Sequence, residues 1–225
     1  MNTELEPSRL GTKAQYVPSN VKRCQVPVNS SISWDGVYEE ELTNFEELGD
    51  EGEIWSATIA SYLLLLLKQS NRFGIETVER MVAWALKNVP PTTNPSVLEI
   101  GSGNGTLVLA LLEAGYTPNH LSGIDYSPGA IKLARSIAAT RGEGTTFNIC
   151  NFLKEDPPIL SHMKGNVWDL LLDKGTFDAI ALSEKDESGR SPAVNYPARV
   201  QKLLAPGGYF LITCMYMPKL RALQH

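Results

Sequence analysis

The apolar positions of the chain change their period near residue 97. Upstream they recur at helical spacing. Between Trp34 and Trp55, the residues Val37, Leu42, Phe45 and Leu48 follow a repeat close to 3.6, which predicts an amphipathic helix and then a polar turn. Glu76 to Asn88 repeats the pattern through Val78, Met81, Val82, Ala85 and Leu86, and Pro90-Pro91 stops it. From Val97 onward short apolar runs of strand length take over, at Val97 to Ile100, Leu121 to Asp125, Thr145 to Cys150, Trp168 to Asp173 and Tyr209 to Thr213. Helical stretches separate them: one from Thr106, one from Pro128 to Arg141 closed by Gly142, and one from Val194 to Leu204. Alternating strands and helices predict an α/β fold with a doubly wound, Rossmann-like, mostly parallel sheet. The unbroken apolar run at Trp168 suits a central strand, buried on both faces. The chain thus divides into a helical N-terminal region, 1–96, and an α/β domain, 97–225.

The stretch from Val97 to Tyr116, VLEIGSGNGTLVLALLEAGY, joins a buried strand to a helix through Gly101-Ser-Gly103-Asn-Gly105. Glycines let the backbone turn where side chains would block a ligand. In an open α/β sheet the carboxyl end of the first strand is where nucleotides settle. The spacing is G-x-G-x-G, and Thr106 stands where a dinucleotide fingerprint has its third glycine, which argues against a pyrophosphate. With Glu99 two residues ahead of Gly101, the pattern resembles the first motif of the seven-strand S-adenosylmethionine-dependent methyltransferases, where the turn faces an amino-acid tail. An ordinary strand-to-helix turn is the alternative. About 20 residues further on, the second strand ends in Asp125, the place from which a carboxylate holds a ribose diol. Asp125 could instead cap the next helix, but Ser127-Pro128 already supplies an N-cap and an N1 proline. The fourth strand likewise carries its terminal carboxylate, Asp173, to the crevice.

Composition narrows the field. A chain of 225 residues without a low-complexity tract suits one globular domain, and 20 basic against 25 acidic residues give a net charge of −5. No bulk attraction to nucleic acid or to an anionic membrane follows. Met1 to Arg9 is polar and acidic, unlike a signal peptide. The most apolar run, Ala57 to Leu67, is about 11 residues, short of the roughly 18–20 that span a bilayer. Cys24, Cys150 and Cys214 fit neither a disulfide framework nor a CxxC site, which points to a reducing, cytoplasmic location. His120, His162 and His225 have no ligand spacing, so no metal is expected.

Four segments carry a closer resemblance: GDEGEIW (Gly49 to Trp55), VLEIGSGNG, GIDYSPGAI (Gly123 to Ile131) and DKGTFDAI (Asp173 to Ile180). Together they resemble the protein-lysine methyltransferases that modify translation elongation factor 1-alpha. The last segment discriminates most, because glycine turns recur across methyltransferases whereas DKGTFD marks the protein-modifying group and its neighbours. The resemblance implies transfer of a methyl group from S-adenosylmethionine to a lysine of a protein substrate, without nucleic acid, membrane or metal as partner. It also implies that Glu99, Gly101 and Gly103 shape the methionine pocket and Asp125 holds the ribose. Asn151 and Phe152 would meet the adenine, and Trp55 would close the cofactor's outer face. Asn151 departs from the acidic residue usual there, and a turn-forming role is its alternative. Asp173 is the catalytic candidate, orienting the incoming ammonium, unless it fixes its loop by accepting from backbone amides. A small-molecule or nucleic-acid methyltransferase and a non-catalytic scaffold are the competing readings. The first lacks, for nucleic acid, the N/D-P-P-Y/F motif that holds a flipped base.

The chain departs from that family at Gln15 to Ser33 and at Ser56 to Arg72, which intervene between segments that relatives join directly. Gln15-Tyr-Val17 and Cys214-Met-Tyr216 can both be encoded through the hexamer GTATGT, a frequent intron donor. Both inserts and the tail from Met215 to His225 therefore read as translated introns, and the domain as truncated after its fifth strand. Tyr209 to Thr213 is then expected to present an unpaired edge.

Overall fold

The computed structural model describes residues 34–52, 70–141, 144–163 and 165–213. Trp55, the segments 15–33 and 56–69, and the tail from Met215 lie outside them. Two helices, α1 (Trp34–Leu48) and α2 (Ser70–Asn88), precede β1 (Val97–Ile100), α3 (Thr106–Glu113), β2 (Leu121–Asp125), α4 (Pro128–Thr140) and β3 (Thr146–Ile149). After these come β4 (Trp168–Lys174), α5 (Thr176–Leu182), α6 (Tyr196–Leu203) and β5 (Leu204–Thr213). The sheet is parallel throughout, in the order β3-β2-β1-β4-β5. Its strand order reverses between β1 and β4, so the crevice of a doubly wound fold opens at the carboxyl ends of β1, β2 and β4.

Both faces of the sheet are covered, as the unbroken apolar runs require. On one face Val97, Leu121, Phe147, Leu170 and Leu172 pack against Met81 and Ala85 of α2, Leu107 and Leu111 of α3, and Ile131 and Ala134 of α4. On the other Leu98, Ile100, Ile124, Trp168 and Leu171 pack against Tyr196, Val200 and Leu203 of α6. Helix α1 buries Val37, Tyr38, Glu41 and Leu42, while Leu48 is exposed, so its inner face is rotated toward Tyr38 relative to the predicted one. Helix α2 starts at Ser70 rather than Glu76, and Leu86 of its predicted apolar set faces solvent.

Strand β5 starts at Leu204, ahead of the predicted Tyr209, because the Ala205-Pro-Gly-Gly208 segment is a bulge and not a turn. Pairing with β4 jumps from Trp168–Leu204 to Leu170–Tyr209. A Cβ on Gly208 would lie 2.9 to 3.1 Å from the carbonyl oxygens of Asp169, Ala205 and Trp168, so only glycine fits that close approach. Among the described residues β5 pairs with β4 alone, and Trp84 of α2 packs edge-on against its Tyr209 at 5.5 Å. At the opposite end of the strands, His120 and His162 stack with ring centroids 3.6 Å apart, a meeting their spacing does not announce. No group of three or more His, Cys, Asp or Glu among the described residues could hold a metal, and no helix among them is long and apolar enough to cross a membrane.

The ring of Phe147 lies across two glycines. A Cβ on Gly123 would stand 2.7 Å from that ring and 2.8 Å from the Cβ of Ser102, and one on Gly105 would stand 2.7 Å from the same ring. Gly123→Ala is therefore expected to destabilise the fold by about 1–3 kcal/mol through overpacking. Urea unfolding would show a lower midpoint at unchanged slope, and Phe147→Leu in the same chain should recover part of the loss.

Candidate active site

Three neighbouring strands carry a carboxylate at their last or next-to-last position, and the site is built around them. Glu99 of β1 is fully buried, and neither of its oxygens has a donor at full hydrogen-bonding geometry among the described residues. Burial pushes its carboxyl up to about 8, while the Lys174 ammonium and the Val108 amide in the first turn of α3 pull the other way. Alternation along the strands puts Glu99 and Lys174 on the same face of adjacent β1 and β4. Burial lowers the Lys174 pKa in turn, opposed by Glu99 and then Asp173.

Beyond β1 the chain turns through Gly101, Gly103 and Gly105, all left-handed, with φ of 68°, 54° and 81°. The reason Gly101 must lack a side chain is a neighbouring protein group. A Cβ there would lie 1.9 Å from Thr176 Oγ1, whose hydroxyl donates to the Ile100 carbonyl at 2.9 Å. The turn after β4 is thus seated directly on the turn after β1. Gly105 caps α3 without a side chain, so the positive end of that helix points toward Glu99.

Asp125 ends β2 and ties two loops together. Its Oδ2 accepts from the Gly103 amide and its Oδ1 from the Ser127 amide, both at 3.0 Å. Burial raises its pKa and those same amides lower it. Ser127 is the N-cap of α4, its hydroxyl accepting from the Ala130 amide at 3.3 Å, and Pro128 follows at the first helical position. The capping duty is therefore Ser127's, and Asp125, which also meets the Tyr126 amide, keeps acceptor capacity toward the crevice.

Asp173 accepts three hydrogen bonds. Oδ1 accepts from the Thr176 amide at 2.7 Å, and Oδ2 accepts from the Phe177 amide at 3.0 Å and from the Tyr196 hydroxyl. Its side chain is fully buried. Of the two readings of this residue, the geometry is that of a loop-fixing carboxylate, capping the head of α5 and drawing in α6. Asn151 is in a similar position. Its Oδ1 closes a turn onto the Leu153 amide at 3.1 Å, the turn-forming alternative. Phe152 is a core ring, 4.9 Å from the Tyr196 ring with the Arg199 guanidinium 5.5 Å above it.

Three residues at the site escape the sequence pattern: Tyr38, Thr176 and Tyr196. Thr176 sits inside the DKGTFDAI segment and so carried a signal. Tyr38 lies one position beside the predicted apolar stripe of α1, and Tyr196 at the head of a helix whose predicted start was Val194.

Burial pushes the Asp173 carboxyl from 3.8 up to about 6, with the Tyr196 hydroxyl and the two amides acting against it. Between those values the unfolded chain releases this proton while the native chain keeps it. Stability therefore falls as pH rises through the window and levels off above it. Asp173→Asn should make that slope shallower, leaving the part that Glu99 and Asp125 contribute, and urea unfolding of both proteins at several pH values from about 4 to about 7 measures the difference.

Residues 91–224 match the methyltransferase-domain family. The protein-lysine N-methyltransferase efm4 of Schizosaccharomyces pombe is 39% identical over 193 residues, covering 80% of this chain and 72% of that protein. The EEF1A lysine methyltransferase 2 of Mus musculus is 34% identical over 181 residues, 80% of this chain and 63% of that protein. The protein-lysine N-methyltransferase EFM4 of Saccharomyces cerevisiae is 32% identical over 186 residues, 80% of this chain and 72% of that protein. With the acidic strand ends and the paired glycine and DKGT turns in place, these similarities establish that the chain belongs to the methyltransferase family and, within it, to the protein-lysine N-methyltransferases.

Proposed function

We propose that this chain transfers a methyl group from S-adenosylmethionine to a lysine ε-amine of translation elongation factor 1-alpha, and does so in the cytoplasm. The observation that carries the reading is the convergence of Glu99, the glycine turn and Asp125 at the carboxyl ends of adjacent strands, with the β4 turn seated on them. The substrate is supported by the relatives named for that factor. The residues fit the cofactor. Glu99 has two buried oxygens lacking a full donor, and the remaining acceptor capacity of Asp125 suits a ribose hydroxyl. When bound, S-adenosylmethionine supplies an electrophilic methyl group on a sulfonium sulfur.

The residues of the chain then have four tasks. Glu99 and the amides of the glycine turn hold the amino-acid end, with Gly101 and Gly103 giving the backbone its path. Asp125 fixes the ribose. Asn151 and Phe152, just past β3, border the adenine end. Asp173 acts on the acceptor side as a positioning residue, through the turn it holds. The amine must arrive as free base at about 3–3.5 Å from the methyl carbon. A lysine of pKa about 10.4 loses its proton to water as the pocket desolvates it. The free amine would accept the methyl group that the sulfonium supplies, with the thioether S-adenosylhomocysteine as the leaving product.

Incubation with radiolabelled S-adenosylmethionine and purified elongation factor 1-alpha should label one lysine-bearing peptide of that protein. Label on a different protein from a cell extract, with none on the factor, would overturn the substrate. Asp125→Ala should weaken cofactor binding by about 1.5–3 kcal/mol by removing a charged acceptor. Calorimetric titration of a variant that still melts cooperatively checks this, and unchanged affinity would move the ribose site elsewhere.

A further inference from the structure

The methyltransferase-domain match begins at residue 91, yet the glycine turn is roofed by a side chain from well before it. Helix α1 lies on α4, and the contact is close because Gly129 has no side chain. A Cβ there would meet the Tyr38 Cβ at 3.2 Å and the Tyr38 carbonyl carbon at 3.4 Å. Trp34, one turn earlier, stacks on the Tyr38 ring at 6.2 Å between centroids. The ring is thereby buried, only 6% exposed, and its direction is fixed. Its hydroxyl ends over the turn, 2.5 Å from where a Cβ of Gly103 would stand.

The charges around that hydroxyl define what it can meet. Asp125, Glu41 and Glu99 face it, with the Tyr126 phenol, while Asp35 lies close enough to act on Asp125 and Tyr126. These carboxylates repel an anionic group, which rests here only against N–H and O–H donors turned toward it, and the phenol is one such donor. Burial, then Asp125, Glu41 and Glu99, hold the Tyr38 pKa well above its ordinary value, so the phenol stays protonated and able to donate. The cofactor has one anionic group, the carboxylate of its amino-acid tail, and Glu99 and the Gly101–Gly103 turn are the residues assigned to that tail.

We infer that Tyr38 is a cofactor-binding residue, its hydroxyl donating to the α-carboxylate of the amino-acid tail. α1 thus brings a further side-chain donor to the site. The assignment rests on the cofactor reading above. A hydrogen bond from a neutral donor to a charged acceptor discriminates strongly for the ligand that bears the charge.

Tyr38→Phe keeps the ring, its stacking on Trp34 and its packing on Gly129, and removes only the hydroxyl. Two ligands separate the roles. S-adenosylhomocysteine carries the amino-acid tail, whereas 5′-methylthioadenosine has the same nucleoside and a thioether without it. In calorimetric titrations of the full chain, the variant should bind S-adenosylhomocysteine about ten- to a hundredfold more weakly and 5′-methylthioadenosine within about twofold of the parent. Equal weakening of both would place the hydroxyl on the nucleoside or in the fold, and unchanged binding of both would make Tyr38 a packing residue; either result overturns the assignment. A parent chain that binds neither ligand overturns the cofactor reading itself, and this assignment with it.

Discussion

Three carboxylates stand side by side at the ends of β1, β2 and β4, and all three are buried, so the architecture around them has to answer charges that water cannot reach. Removing a carboxylate from water is costly unless donors or an opposite charge replace the solvent. Each is answered differently. Glu99 has the Lys174 ammonium and the head of α3. Asp125 has the amides of Gly103 and Ser127. Asp173 has the amides of Thr176 and Phe177 and the hydroxyl of Tyr196. In every case the answering group lies on a loop or on an element reached through a loop. Satisfying the charges therefore fixes the paths of the turns that form the crevice.

The turns also constrain one another directly. Thr176 occupies the space that a side chain at Gly101 would need, and its hydroxyl is spent on the Ile100 carbonyl. Phe147 does the same one layer away, filling the space above Gly105 and Gly123. The glycine turn is thus held by packing from both neighbours, which sets the path of its left-handed backbone in advance. Such preorganisation matters for methyl transfer, because the rate depends on holding the amine, the methyl carbon and the sulfur in line. Asp173 contributes at one remove. It orders the DKGT turn, and that turn bears on the cofactor side through Thr176 and on the charge of Glu99 through Lys174.

Helix α1 extends the same logic beyond the α/β domain. Its apolar residues pack on α4, and the acidic residues Glu39, Glu46 and Glu47 of its outer face remain in solvent or, for Glu46, reach Lys132 at 3.1 Å. An exposed ion pair of this kind adds little stability. The helix is held by Val37, Leu42 and the Tyr38 ring, so the residues that anchor it are also those that bring a hydroxyl to the glycine turn.

The sequence by itself determined the order of strands and helices, the parallel sheet, the position of the crevice and the identity of two of its carboxylates as ligand candidates. Those features are written in local signals: apolar runs, glycine spacing, a Ser-Pro helix start and an acidic residue at or next to the ends of three strands. Boundaries were less legible where a local signal had two outcomes. Pro206-Gly-Gly208 reads as a turn, and only pairing with β4 makes it a bulge within β5. The roles of Asp173, Asn151 and Phe152 were open for the same reason, since an acceptor or a ring can face a ligand or the protein, and the choice depends on donors and rings brought in from residues distant in the chain. Tyr196 reaches Asp173 from another helix, and Tyr38 reaches Gly103 from outside the domain. Nothing in either local pattern contains its partner. Those contacts exist because α6 and α1 bury their apolar faces on the sheet and on α4, and that was decided by the tertiary structure alone.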